Sequence, residues 1–496
     1  MNKLAQLDHR HVWHPFTQMR DWLQREPIVI ASGKGAILRD TKGREYLDAN
    51  SSIWTNLHGH AHPAIGSAIR KQVGKISHSS ALGFANEPAA LLAERLVQAA
   101  NPVISDSRFP IPGSRLQTGR QSQIPDRRLN KVFYSDDGST AMEVALKLAY
   151  EFARRSGRSQ KPKFLSMDGA YHGDTVGAVS VGHIDLFHKA YPGLLFKTDK
   201  VAAPYCYRCP HNRAKPERAD AREYRKCKFE CLKKVEQKFS AQRKTGSPYA
   251  AMVVEPLMQG AAGMIAQPEG WLKRVAEIVR SDGAQLIADE VMTGFGRTNS
   301  KLKIKNSKTP LFACQEENVQ PDFMALAKGM TGGYLPMAAT LTTQKVFDAF
   351  LGEYEEFKTF FHGHSFTGNQ LGGAAALASL KILQSPQSIS ARRALQENLR
   401  EELNKLWALP NVGDIRQVGL VAGVELVKNW ETREPFALRE QAGIRVCEAM
   451  ARRGVLTRPI GNVIVVMPPY CTTAKQVSKM TSALAESVAE VLDRRN

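Results

Sequence analysis

The sequence predicts an α/β fold: a large domain on a mostly parallel central sheet, with a smaller α+β domain built from both ends of the chain. Three observations carry this. From about residue 86 to 370, short apolar runs alternate with stretches of helical periodicity, as in a parallel sheet covered on both faces. The first 85 residues read instead as short strands joined by Gly-containing turns. From 371 onward, long helical stretches precede two strand patterns. Residues 1–85 and 371–496 therefore form the two parts of the small domain, and 86–370 form the large one.

Taken in order, "ASGKGAILRDTKGREYLDANSS" supplies the N-terminal strands. Residues 105–130, rich in Pro, Gly and Arg, read as a loop. "KVFY" is a strand, and the helix predicted over 139–154 follows it. Its apolar positions Ala141, Met142, Ala145, Leu148, Ala149 and Phe152 share one face. "KFLSM", "AMVVEP", "AQLIADE", "FMALAKG" and "MAATLTT" are further strands, with a second helix predicted over 270–281. Residues 371–408 and 436–453 read as long helices, and "GDIRQVGLVAGVEL" and "GNVIVVMPP" as strands.

Composition narrows the class. The 496 residues are 43% hydrophobic, an ordinary globular value. No apolar run is long enough to span a membrane, and "MNKLAQLDHRHVWHPF" lacks the apolar core of a secretory signal, so a cytoplasmic protein with no membrane partner is expected. The formal charge is +20. Residues 207–244 carry thirteen Lys or Arg against five Asp or Glu, and 105–131 carry six against two. Neither segment interleaves aromatic residues as a base-stacking surface would. The expectation is solvated basic insertions and no nucleic-acid partner.

Seven cysteines in so long a chain argue against a disulfide framework. Four of them, Cys206, Cys209, Cys227 and Cys231, are spaced C-x2-C-x17-C-x3-C, near the pattern of four-thiolate zinc sites. Zinc and free thiols both fit this spacing. Free thiols and no metal are expected, because the chemistry carried by the strand ends needs no metal ion.

Strands of a parallel sheet deliver functional groups at their C-terminal ends, and four such ends carry chemistry here. "DDGSTAMEV" brings Gly138, Ser139 and Thr140 to a helix start, where bare N–H groups and the helix dipole favour an anion. "MDGAYHGDT" offers Tyr171 and His172, rings that can lie on a planar ligand. "LIADEV" ends in Asp289 and Glu290, acids that are costly to bury without a cation. "FMALAKGMTGG" ends in Lys328, whose amine becomes nucleophilic when desolvated. Singly, each has an ordinary alternative: a helix cap, a packed loop ring, a capping acid, a snorkelling lysine. Together they are the parts needed to hold pyridoxal 5′-phosphate. Lys328 would bond its aldehyde carbon, Asp289 would face the pyridine nitrogen, and the 138–140 turn would hold the phosphate.

Over nearly its whole length the chain also resembles the class III, ω-amino-acid-type aminotransferases. "DEVMTGFGRT", the lysine of "AKGMTGG" and "HGHSFTGNQ" carry the likeness. The resemblance implies the fold-type I architecture of pyridoxal-phosphate transferases and a homodimer with active sites at the interface. "HVWHPFTQM", "SSIWTNLHGHAHP", "GAYHGDTVGAVSVG" and "LTRPIGNVIVVMPPY" are similar to the branch of that family that aminates 8-amino-7-oxononanoate in biotin biosynthesis. Residue by residue, it implies Lys328, Asp289 and Tyr171 as the catalytic set, with Gly138 and Ser139 at the phosphate. It implies Ser365 on the phosphate of the neighbouring subunit. Arg458 would hold the substrate carboxylate, and Trp54 and Phe16 would line the substrate site.

The branch default donor is S-adenosylmethionine. Phe16, Ile53 and Val465 depart from that pattern by removing aromatic or phenolic surface, and in this they resemble the kind that uses L-lysine. Two alternatives stand beside this reading. One is a class III aminotransferase acting on ornithine, 4-aminobutyrate or a polyamine, against which "HVWHPFTQM" and Arg458 argue. The other is a basic zinc- or nucleic-acid-binding module around 206–244.

Overall fold

The computed structural model describes residues 1–101, 127–299 and 309–492. Most of the 105–130 segment lies outside the described residues.

Three N-terminal strands, β1 (Ile30–Lys34), β2 (Ile37–Asp40) and β3 (Glu45–Asp48), form an antiparallel meander. The large sheet takes seven strands: β4 (Leu129–Ser135), β5 (Lys163–Met167), β6 (Asp199–Val201), β7 (Tyr249–Val254), β10 (Gln285–Asp289), β11 (Phe323–Leu326) and β12 (Ala338–Thr343). A short hairpin, β8 (Met258–Gln259) with β9 (Ile265–Ala266), follows β7. The order across the large sheet is β4-β12-β11-β10-β7-β5-β6. Every residue of β7, β10, β11 and β12 is buried, which is why these strands read as continuous apolar runs. β12 departs from the parallel pattern: "MAATLTT" runs antiparallel to both neighbours, β11 and β4. An apolar run buried on both faces carries no mark of its direction, so the sequence did not reveal the reversal.

The Gly138–Arg155 helix packs its apolar stripe on one face of this sheet, with Ala141, Ala145, Leu148 and Phe152 in that core. Asp137 starts it: its carboxylate accepts from Thr140 N–H at 2.8 Å, and the Thr140 hydroxyl accepts from Asp137 N–H at 3.0 Å. The Glu230–Lys244 and Trp271–Asp282 helices cover the other face.

The C-terminal part forms β13 (Val412–Val418), β14 (Val421–Asn429), β15 (Glu434–Pro435), β16 (Val455–Leu456), β17 (Pro459–Ile460) and β18 (Val463–Val466). β16 pairs in parallel with β3, so the first and last parts of the chain share a sheet. The helical stretch predicted over 371–408 is two helices, Gln370–Leu383 and Pro386–Asn404. Ser385 caps the second and Pro386 opens it; a proline cannot continue the preceding helix. The stretch predicted over 436–453 is a short 3-10 turn, Leu438–Glu440, followed by an α-helix, Ala442–Arg452.

Most of the basic segment's lysines and arginines are exposed, as expected, but a few are docked. Arg208 donates to Glu425 at 2.7 and 2.9 Å, Arg218 to the carbonyls of Leu409 and Val412 at 2.6 Å each, and Arg222 to the Gln417 carbonyl at 2.8 Å. Arg416, fully buried, bridges Asp414 and Glu425 at 2.8 and 2.7 Å. Three of the thirteen basic side chains thus dock the insertion onto β13, β14 and the chain just before them. Residue counts of charge do not reveal which guanidinium finds a partner.

Candidate active site

The C-terminal ends of β5, β7, β10 and β11 converge on one place, as the parallel topology requires. Lys328 follows β11 at φ +43°, a backbone conformation an L residue resists. It is half-buried, and its Nζ stands 4.6 Å from the centre of the Trp54 ring. Burial holds its ammonium below the usual lysine range, against the opposite pull of Asp289 and Glu255.

Asp289 ends β10. Its Oδ2 accepts from His172 Nδ1 at 2.8 Å and its Oδ1 from Val291 N–H at 3.0 Å. His172 is buried, and its Nε2 has no hydrogen-bond partner among the described residues. Glu290, the adjacent acid, points away: it accepts from Thr293 Oγ1 at 2.7 Å and from the amides of Ala313 and Cys314 at 2.9 and 2.8 Å. It anchors a loop and faces no site. Alternation along the strand separates the two acids.

Tyr171 follows β5. Its ring lies 6.4 Å from Phe16 and 5.9 Å from Phe187, and its hydroxyl donates to Asp174 at 2.7 Å. Gly138 is required by space: a Cβ there would lie 2.6 Å from Val291 Cγ1, so the helix start presses on the chain just after Asp289. Ser139 Oγ is engaged with Thr175, donating to Oγ1 and accepting from the amide, each at 2.9 Å. Thr140 is taken up by the Asp137 capping box, so it is not free to join Gly138 and Ser139 in the expected three-residue cup.

Glu255, at the end of β7, is marked by the sequence only as part of a strand. It is 6% exposed and accepts from Gly260 N–H at 2.8 Å and Tyr171 N–H at 3.2 Å. Burial, aided by Asp289 and opposed by His172 and the two amides, raises its pKa to about 7. The signal that could have found it is the one that marks Asp289, an acid closing an apolar strand.

Two expected residues stand apart. Arg458 is exposed between β16 and β17, and no carboxylate among the described residues pairs with it. Ser365 is exposed; its carbonyl accepts from His78 Nε2 at 2.8 Å, and its neighbour His364 pairs with Asp136 at 3.3 Å. His364 thus ties the strip to Asp136, while no hydrogen bond joins Ser365 to the 138–139 turn among the described residues.

Cys206, Cys209, Cys227 and Cys231 line one small cavity with Pro204, Phe229 and Pro268. Burial pushes the Cys206 and Cys231 thiols up to about 12 and 11. Among the described residues no three His, Cys, Asp or Glu side chains converge as a metal-ligand set. No described helix is long and apolar enough to cross a membrane.

The family model described as aminotransferase class-III matches residues 19–488. A Geobacter sulfurreducens protein named adenosylmethionine-8-amino-7-oxononanoate aminotransferase is 46% identical over 488 residues, 98% of each chain. The crystal structure of the protein of that name from Methanocaldococcus jannaschii is similar at a TM-score of 0.84 and 38% identity, covering 98% of this chain and 99% of that one. An (S)-enantioselective omega-transaminase from Thermomicrobium roseum is similar at a TM-score of 0.83 and 27% identity, covering 99% and 98%.

Proposed function

The chain belongs to the class III aminotransferases, which are pyridoxal 5′-phosphate enzymes, and on that premise we propose that it converts 8-amino-7-oxononanoate to 7,8-diaminononanoate in biotin biosynthesis. The observation that carries the reading is Lys328 at the end of β11, faced by the Trp54 ring and within electrostatic reach of Asp289 and Glu255. The full-length likeness to proteins named for that oxononanoate supports the substrate.

The residues present fit the cofactor. A desolvated amine suits an aldehyde, a buried carboxylate steadied by His172 suits a protonated ring nitrogen, and a glycine-opened helix start suits a phosphate. Bound there, pyridoxal phosphate supplies the carbonyl and the electron-withdrawing ring for amino transfer. Lys328 Nζ would bond it and take the proton from the amine-bearing carbon of the donor, work that a lowered pKa favours. Asp289 would face the ring nitrogen and Tyr171 the ring. Gly138 and Ser139 would hold the phosphate through their N–H groups. Arg458 would grip the oxononanoate carboxylate with a planar two-donor fork, while Trp54 and Phe16 line its path. Ser365 would reach the phosphate of a second copy in a homodimer.

For the donor we read L-lysine. Phe16 packs edge-on against Tyr171 and Phe187 with no phenol to offer, and Ile53 presents an aliphatic side chain. A bulky sulfonium–adenosine donor gains less from such walls than from aromatic ones. The relatives' names carry adenosylmethionine, so the two donors are tested apart. Each is offered singly to the loaded protein while the visible absorbance of the bound cofactor is followed. Loss of that band with L-lysine alone is expected. Loss with adenosylmethionine alone reverses the donor, and a response only to ornithine or 4-aminobutyrate removes the proposed substrate.

A further inference from the structure

Four consecutive residues before the candidate site, Ser51, Ser52, Ile53 and Trp54, have φ of +46°, +47°, +63° and +68°. None is glycine. A run of L residues in this region does not persist unless its surroundings compel it, and such runs cluster where function requires a fixed geometry.

The compelling group is Asp48, almost fully buried at the end of β3. Its Oδ1 accepts from the amides of Asn50 at 3.2 Å and Ser52 at 3.0 Å; its Oδ2 accepts from Ser52 Oγ at 2.9 Å and His60 Nε2 at 3.0 Å. His60 is itself fixed: its Nδ1 accepts from Asn56 Nδ2 at 2.9 Å, which leaves Nε2 as the protonated nitrogen aimed at Asp48. Asn56 Oδ1 accepts from Gly59 N–H at 2.8 Å, and Ser51 Oγ donates to the Met467 carbonyl at 2.7 Å.

The turn meets the lysine segment from both sides. The Trp54 ring is 4.6 Å from Lys328 Nζ. On the following residues, a Cβ at Gly329 would lie 3.0 Å from Leu57, and one at Gly333 would lie 2.8 Å from Asn56 N. No slack exists between the two segments.

We infer that Asp48 and His60 are positioning residues: they clamp residues 51–54 in a left-handed turn and thereby set the Trp54 ring against the Lys328 nitrogen. This rests on the reading of Lys328 as the residue that holds the cofactor. The groups acting on that nitrogen are the Trp54 face, Asp289 and Glu255. The aromatic face favours a cation, so releasing it lowers the pH at which the nitrogen loses its proton.

The test follows the pH midpoint of the bound cofactor's visible absorbance, which reports protonation at the Lys328 nitrogen. Asp48→Asn, His60→Ala and Trp54→Leu should each lower the midpoint by about 0.5–1 pH unit. His60→Gln, which keeps a donor for Asp48, should restore most of it. Asp48→Asn combined with Trp54→Leu should move it no further than Trp54→Leu alone, because the clamp acts through the ring. His60 is partly exposed, at 17%, and is the milder site should Asp48→Asn fail to fold. A wild-type midpoint in both His60→Ala and Asp48→Asn, or full additivity with Trp54→Leu, overturns the clamp and leaves the Lys328 reading standing. Lys328→Ala protein that keeps the wild-type absorbance and its titration overturns both.

Discussion

At the scale of single residues, the buried carboxyl of Glu255 has a measurable consequence. Its pKa is raised from the ordinary 4.5 to about 7, chiefly by burial. Between those values the folded protein binds a proton that the unfolded chain releases, so stability falls as pH rises through that window. The full effect is on the order of 3 kcal/mol. Glu255→Gln should flatten the dependence of the thermal midpoint on pH between about 4.5 and 7. Glutamine can accept from only one of the two amides that Glu255 now serves, so a uniform loss of about 1 kcal/mol is also expected. The slope, not the height, checks the claim: an unchanged slope would show that Glu255 is not the titrating group. The strand-end placement of Lys328, Asp289 and Tyr171 was legible, because each closes or follows a short apolar run. Glu255 and the His172–Asp289 bond were not legible as a set, since β5, β7 and β10 come from separate parts of the chain and only their pairing brings these side chains together.

At the scale of an element, the start of the Gly138–Arg155 helix is where packing meets the proposed phosphate site. Gly138→Ala adds a good helix former, yet its Cβ would lie 2.6 Å from Val291 Cγ1. The helix start must then move away from the chain following Asp289. The expected result is a rise in the cofactor dissociation constant of about tenfold or more, with overall stability changed by no more than about 1–3 kcal/mol. Equilibrium titration of cofactor into the cofactor-free variant checks this; wild-type affinity would show that the anion is held elsewhere. The helix itself was plain from its periodicity and its Asp-Gly-Ser-Thr opening. The division of labour within that opening was not: Thr140 serves the cap and Ser139 binds Thr175, which lies on another segment.

At the scale of the whole molecule, the segment 78–84 runs beside 364–370, joined by His78 to the Ser365 carbonyl and by Gln370 to Ser79. Around this seam Leu82, Phe84, Phe361 and Phe366 are exposed, Leu82 to 88% and Phe361 to 74%. Four exposed large apolar side chains along one seam suit an interaction surface, and the homodimer proposed above would cover them while bringing Ser365 to a neighbouring phosphate. Phe361→Asp should shift the protein to monomer in sedimentation analysis and reduce turnover at least tenfold, the scale of a misplaced binding group. A dimer with full activity would place the interface elsewhere.

The sequence by itself determined the α/β class, the strand-end placement of the amine, acid and ring, and the family. Local periodicity and residue chemistry are properties of short segments and survive being read in one dimension. Only the tertiary structure decided the reversed β12, the docking of the basic insertion through Arg208 and Glu425, and the left-handed turn at 51–54. Each depends on a partner distant in the chain: a neighbouring strand, a carboxylate some two hundred residues away, a lysine segment pressed against a tryptophan. Such partners are chosen by packing and by the cost of leaving a buried charge or a strained backbone uncompensated, and that cost exists only once the chain has closed on itself.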